Sequence, residues 1–275
     1  ATIESLAVAV IVTVPCDFPV TNYDLEVYGD LNRDHKIDSI DMVKLAQYVE
    51  GKIELEDSLK LYADLNLDNK IDYIDVDILS RKIVGDEKYQ KLPIRNLDEI
   101  LNYGNVDNLT GITYKDLTKL YNYIKGNEEL KGIALLSADL NKDGKIDYVD
   151  LTILHGYLKR VSGFEKLPNE KIKTISKYGD LNNDGIINQK DADILAEMMG
   201  KNEIPSGVNA IISDIYMDGS FDIRDLLALG QFIAGTIKSI PTLNTNDVRT
   251  YGDLNGDGKV DYTDLKNLYL LTEGK

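Results

Sequence analysis

The sequence has a single cysteine, Cys16, and no tryptophan among its 275 residues. One thiol excludes an intramolecular disulfide and a thiolate metal cluster, so packing or other ligands must hold the folded chain together. The longest strongly apolar run extends from Leu6 to Val14, which is too short to span a bilayer as a helix. The run also lacks the basic residues that open a secretory signal, so we expect a mature form whose signal is absent or already removed.

Basic residues are scarce, with 31 Lys and Arg against 47 Asp and Glu and a formal net charge of -16. This balance disfavours a nucleic-acid backbone or an anionic membrane surface as a partner and favours cations. A hydrophobic fraction of 43% excludes wholesale disorder, so the acidic residues must be accommodated within a folded protein. The only histidines are His35 and His155, and no nucleophile, base and orienting acid occur at a recognisable spacing, so we do not expect an enzyme.

The acidic residues are concentrated in a twelve-residue repeat. Six copies align without gaps, and a seventh is degenerate because Leu109 replaces the third acidic residue. The copies cover residues 30–41, 64–75, 105–116, 139–150, 180–191, 214–225 and 253–264, and we call them the first to seventh loops. Their starts alternate between a short spacing of 34 residues and a longer one, so the loops come in pairs within a unit of about 75 residues.

A Tyr-Gly step precedes the first loop of each pair, and a proline lies upstream of it at Pro19, Pro93, Pro168 and Pro241. The predicted organisation is therefore an N-terminal apolar extension at 1–18, modules at 19–91, 92–166 and 167–239, and a half module at 240–275. We predict a mainly α fold in which each module pairs two loops and the helices that leave them. The valine- and isoleucine-rich extension favours a short extended segment, although a short buried helix is the alternative.

Loops of this pattern provide the ligands that calcium requires. A calcium ion takes six to eight oxygens, and a twelve-residue loop supplies them from positions 1, 3, 5, 7, 9 and 12, with position 7 acting through its backbone carbonyl and position 9 often through water. The absence of imidazole and thiolate argues against zinc and copper, and magnesium prefers fewer protein ligands. The predicted ligands of six loops are Asp30, Asn32, Asp34, Lys36, Asp38, Asp41; Asp64, Asn66, Asp68, Lys70, Asp72, Asp75; Asp139, Asn141, Asp143, Lys145, Asp147, Asp150; Asp180, Asn182, Asp184, Ile186, Asn188, Asp191; Asp214, Tyr216, Asp218, Ser220, Asp222, Asp225; and Asp253, Asn255, Asp257, Lys259, Asp261, Asp264.

About six calcium ions are expected, and the third loop is expected to be empty. Position 6 of that loop is Thr110, a poor substitute for the glycine or asparagine that a left-handed turn favours. Six bound ions would reduce the formal charge from -16 to about -4, which would account for most of the acidic excess.

Leucine occupies position 16 in every copy, four residues beyond the loop. With an apolar residue at position 13 it forms an i, i+3 face, which predicts an amphipathic helix leaving each loop. The position 16 residues are Leu45, Leu79, Leu120, Leu154, Leu195, Leu229 and Leu268. No comparable helix is expected before the first loop of a pair, because the Tyr-Gly step lies directly before it.

Loop, exiting helix and 34-residue pairing together resemble the duplicated segments of cellulosomal dockerin modules, over residues 20 to 275. The resemblance implies calcium binding and a cohesin-type protein as partner, so one hypothesis is an adaptor of a cellulosome-like complex. Positions 10 and 11, which often carry recognition in that family, vary between the loops, as in Ser39-Ile40 and Gln189-Lys190. This variation weakens a shared cohesin specificity.

The hypothesis that we favour at this point is an extracellular or cell-surface structural protein that assembles with itself. Residues 1–18 have no counterpart in the later units, and the half module leaves the helix face of Leu265 and Leu268 without a partner helix. Docking of the extension on the half module of the next subunit would give a head-to-tail homopolymer, a filament or surface layer. Packing of the extension on its own chain remains the alternative. A calcium sensor is the least favoured class, because four methionines are too few for a methionine-rich groove.

Overall fold

A computed structural model describes residues 27–109 and 111–243, and these residues are helical, with no β-strand among them. Thr110, the apolar extension predicted at residues 1–18, and residues 244–275 of the half module with its seventh loop lie outside the described residues. The helices are α1 (Ser39–Val49), α2 (Asp57–Ala63), α3 (Tyr73–Ile83), α4 (Tyr114–Ile124), α5 (Gly132–Ala138), α6 (Tyr148–Leu158), α7 (Gln189–Gly200), α8 (Asn209–Ile212) and α9 (Ile223–Ile233). Two 3-10 helices, Glu87–Tyr89 and Leu97–Glu99, lie between α3 and α4.

Two compact units contain these residues. The first comprises 27–71 and 78–94, and the second comprises 72–77 with 95–109 and 111–243. Helix α3 contributes residues to both units, whereas residues 95–166 of the second predicted module and the third predicted module lie together in the second unit. The mainly α fold predicted from the repeat is confirmed.

The predicted helices leave all six described loops, and each is eleven or twelve residues long. The six position 16 leucines in the described residues are each 0% exposed: Leu45, Leu79, Leu120, Leu154, Leu195 and Leu229. A fully buried leucine contributes about 1.5 to 3 kcal/mol relative to an exposed one, so this position anchors each exiting helix. In the second unit, α4 packs against α6 and α7 packs against α9.

The described second loops also have a short helix before them, which the sequence analysis did not predict. Helices α2, α5 and α8 end one or two residues before Asp64, Asp139 and Asp214. They are four to seven residues long, too short for a clear 3.6-residue periodicity. Before the third and fifth loops no α-helix occurs between residues 95 and 104 or between 169 and 179, as the Tyr-Gly step predicted.

The glycine of each described Tyr-Gly step closes its module. Its backbone N–H donates to the carbonyl two residues before the second loop, at Tyr62, Ser137 and Ile212, over 2.9 to 3.0 Å. Gly104 has a φ of +88°, and a Cβ there would lie 2.6 Å from Leu167 Cδ1. Leu167 directly precedes a cis proline, and Gly29 with Leu92 and Gly179 with Ile240 repeat this contact. The glycine of each Tyr-Gly step therefore contacts the residue that directly follows its module, at a left-handed position that favours glycine.

Candidate calcium loops and the interface between the second and third modules

The first loop illustrates how these sequences fold locally. Asp30 Oδ1 and Oδ2 accept the backbone N–H groups of Arg33 and His35 at 2.8 and 2.9 Å. Asn32 Oδ1 accepts the N–H of Asp34 at 2.9 Å. Short polar side chains favour such local bonds to the backbone, so the residues that carry ligand oxygens also shape the turn. His35 at position 6 has a φ of +65°, and so this loop adopts the left-handed turn without glycine.

Position 12 of each described loop is a buried aspartate that ties the loop to its helix. Asp41 is 0% exposed, and its Oδ1 accepts the N–H groups of Leu31 and Asn32 while its Oδ2 accepts that of Asp38. Asp38 in turn caps α1, since its Oδ1 accepts the N–H of Ile40 at 2.8 Å. The pair forms a capping box, an arrangement that satisfies the free N–H groups at a helix start. The predicted ligands at positions 9 and 12 therefore also begin the helix.

The fourth and fifth loops repeat this geometry. The Gly144 N–H donates to Asp139, and the Gly185 N–H donates to Asp180. Asp150 and Asp191 each accept the backbone N–H groups at positions 2, 3 and 9 of their own loop, as Asp41 does in the first loop. Residues 64–70 of the second loop have the same bonds, with Asn69 donating to Asp64 and Lys70 donating to Asp68. Residues 72–75 repeat the helix start, with Asp72 donating to Asp75. Each predicted ligand of these loops lies at the turn position that the alignment gives it.

No three acidic, histidine or cysteine side chains in the described residues converge closely enough to hold a metal by themselves. An ion in these loops would therefore need oxygen ligands of several kinds, from carboxylates, an asparagine amide and a backbone carbonyl together. Such a set of hard oxygens is the donor set that calcium takes. The residues of the first, fourth and fifth loops fit this ion.

The third loop lacks the third acidic residue. Its first residue, Asn105, donates from Nδ2 to the carbonyl of Leu109 at 2.6 Å, whereas its buried Oδ1 has no hydrogen-bond partner among the described residues. Thr113 still accepts the N–H of Lys115, and Asp116 completes a capping box. This loop therefore starts α4 in the same way as the other loops start their helices.

Basic side chains contact the acidic residues of the sixth loop. Arg224 at position 11 lies 2.5 Å from Asp218 Oδ2 and 2.5 Å from Asp222 Oδ2. Lys159, which follows α6, places Nζ 2.8 Å from Asp214 Oδ2. Tyr216 occupies position 3, where the first, second, fourth and fifth loops have asparagine. The alignment gave no signal for the distant Lys159.

A buried polar network surrounds Asp214 at the contact between the second and third modules. His155, 0% exposed, lies 2.9 Å from the Tyr178 hydroxyl through Nδ1 and 3.0 Å from Asp214 Oδ2 through Nε2. Burial lowers the pKa of the His155 imidazole, and the neighbouring Asp214 carboxylate opposes this shift. Burial raises the pKa of the Tyr178 hydroxyl, which keeps its proton, and Nε2 of the imidazole donates to the Asp214 carboxylate, which can only accept.

Apolar contacts extend this interface. Tyr178, Ile211 and Met217 of the third module belong to the same core as Leu151, Leu154 and Phe164 of the second. The Tyr121 hydroxyl of α4 donates to the Pro241 carbonyl at 2.9 Å. The second and third modules therefore share a continuous core within the second unit.

Paired loops and the helices that leave them define a tandem array of calcium-loop modules. The family model of the dockerin type I domain matches the chain three times, at residues 28–84, 103–159 and 178–234. The chain belongs to the dockerin type I family. A search of the curated proteins finds no match to this chain. Dockerin domains are non-catalytic, calcium-binding modules of protein–protein interaction, and they define the class of this protein.

No helix in the described part of the chain has the length and apolar character needed to cross a bilayer.

Proposed function

We propose that this protein is an extracellular, calcium-dependent adaptor whose dockerin modules bind cohesin-type domains. The three family matches carry this proposal, because they cover most of residues 28–234 and dockerin domains bind cohesins. Calcium would be held by the predicted ligands of the first, second, fourth and fifth loops, and by those of the seventh loop outside the described residues. Its role would be to fix the exiting helices, since clustered aspartates repel each other without a cation.

The helix that leaves the first loop of a module is the face we assign to the partner. In α1, Ile40 and Val43 lie on one side of the helix, and they are 58% and 48% exposed. In α7 the exposed residues are charged or polar, among them Lys190, Asp193 and Glu197. In contrast, seven residues of α6 are buried. Because the faces of α1 and α7 differ in chemistry, the modules would prefer different cohesins.

Binding of the full chain to a panel of cohesin domains by isothermal titration calorimetry, in calcium and in EDTA, tests this proposal. We expect at least one cohesin to bind only in calcium. For a cohesin bound by the first module, Ile40→Asp with Val43→Asp should weaken binding at least tenfold, because two charges replace the apolar face. Val84→Asp is the matched control, since Val84 is 76% exposed beyond the end of α3. Absence of calcium-dependent binding across the panel would refute the adaptor.

The second candidate is the calcium-stabilised head-to-tail homopolymer, a filament or surface layer. It rests on the apolar run from Leu6 to Val14, which has no counterpart in the later modules and lies outside the described residues. Deletion of residues 1–14 should then reduce particle size in calcium, as measured by light scattering. If the particle size is the same with and without the deletion, this candidate is wrong.

A further inference from the structure

We propose that the sixth loop, 214–225, is neutralised by Lys159 and Arg224 and takes no calcium ion. This departs from the ligand set that the alignment predicts for the loop, although its acidic residues lie in the expected positions. Two basic side chains bring the two positive charges that one calcium ion would bring. The loop would then be held by cations that belong to the protein.

Arg224 connects two of the predicted ligands. Its guanidinium lies 2.5 Å from Asp218 Oδ2 at position 5, and its Nε and Nη2 donate to Asp222 at position 9 over 2.9 and 2.5 Å. A planar guanidinium suits such paired contacts with carboxylates, which are stronger than neutral hydrogen bonds. The equivalent position is apolar in the first, second and fourth loops, at Ile40, Ile74 and Val149, and it is the exposed Lys190 in the fifth loop.

Lys159 occupies the other side of the loop. Its ammonium donates to Asp214 Oδ2 at 2.8 Å and to the Gly219 carbonyl at 3.3 Å. The same carboxylate oxygen lies 3.0 Å from His155 Nε2 and accepts the Gly219 N–H at 3.0 Å. Asp214 is 0% exposed, and a buried carboxylate needs such compensation because removing it from water is costly.

The donor set of the loop is also incomplete. Tyr216 at position 3 offers no amide or carboxylate oxygen, and its ring lies under the Arg224 guanidinium at 5.4 Å. Asp214 Oδ1 is buried and has no hydrogen-bond partner among the described residues. A calcium ion at this atom would lie close to the Lys159 ammonium on the same carboxylate. Repulsion between these two cations in a buried site disfavours the ion.

The consequence concerns how the third module folds. Lys159 and His155 come from the second module. Tyr114 of the same module packs closely against Gly219, because a Cβ added to Gly219 would lie 2.6 Å from the Tyr114 hydroxyl. The sixth loop is therefore stabilised by the preceding module. Calcium would stabilise the fifth loop, and contact with the second module would stabilise the sixth loop.

Counting calcium ions on the full chain by native mass spectrometry tests this proposal. Asp143→Ala and Asp218→Ala remove the side-chain oxygens at the same loop position in the fourth and sixth loops. We expect Asp143→Ala to lose one ion relative to the unmodified chain and Asp218→Ala to lose none. Loss of one ion from Asp218→Ala would overturn the proposal.

Hydrogen exchange of the unmodified chain gives a second measurement that needs no variant to fold. We expect EDTA to accelerate exchange of the loop amides at 180–188 and to leave those at 214–222 unchanged. If EDTA accelerates exchange to the same extent in both loops, the proposal is wrong.

Discussion

The Lys159 ammonium and the Asp214 carboxylate lie 2.8 Å apart at the contact between the second and third modules. The Asp214 side chain is fully buried and that of Lys159 is 12% exposed. An ion pair in this setting joins two stretches of chain that are 55 residues apart. It links the end of α6 to the first residue of the sixth loop.

Replacing Lys159 by Met should destabilise the second unit by about 3 kcal/mol, because removal of one partner leaves an uncompensated buried charge. Urea denaturation in calcium, followed by circular dichroism, measures the free energy of unfolding. Lys190→Met is the control, since Lys190 is exposed on α7 and should cost less than about 0.5 kcal/mol. Equal stability of the two variants would contradict the importance of this pair.

Gly104→Ala should destabilise the second module by about 2 to 4 kcal/mol. A left-handed φ costs alanine about 1 to 2 kcal/mol, and the added Cβ would lie 2.6 Å from Leu167 Cδ1, so overpacking adds about 1 to 3 kcal/mol. Gly126→Ala separates these two costs, because Gly126 has a φ of +73° and no atom within 4 Å of the added Cβ. In thermal melts, the melting temperature of Gly104→Ala should be well below that of Gly126→Ala. Equal melting temperatures would show that the contact with Leu167 is unimportant.

Chelation should lower the melting temperature of the full chain. A ligand that binds only the folded state adds about 4 kcal/mol per site at a thousandfold excess over its dissociation constant. Melts followed by circular dichroism, in calcium and in EDTA, measure the change, and magnesium alone should restore little of it. The same melting temperature in EDTA and in calcium would count against calcium as the structural ion.

Position 9 should have separable roles in the first and third loops. Thr113→Ala removes a helix cap in a loop that we expect to be empty, so it should cost about 1 kcal/mol in calcium and in EDTA alike. Asp38→Ala removes both a cap and a predicted ligand, so its cost should be larger in calcium than in EDTA. Urea denaturation of both variants, in calcium and in EDTA, measures the four changes in the free energy of unfolding. A calcium-dependent cost at Thr113 would mean that the third loop binds an ion.

Much of the fold could be predicted from local pattern. The apolar residue at position 13 and the leucine four residues beyond each loop predicted the exiting helix and its buried face, as Leu45 and Leu195 show. The short helices α2, α5 and α8 could not be predicted, because one or two turns carry too little periodicity. Gly104 was recognised as part of the Tyr-Gly step, but its contact with Leu167 needs the coordinates.

The sequence by itself determined the repeated loops, the helices that leave them and the donors that each loop offers, because all of these depend on residues within about twelve positions of one another. Only the tertiary structure decided which charges meet. Lys159 approaches Asp214 because the second and third modules share a core, and no spacing within a single repeat encodes that approach. Coulomb interactions depend on distance in space, so the sixth loop could be judged only after the modules were placed together.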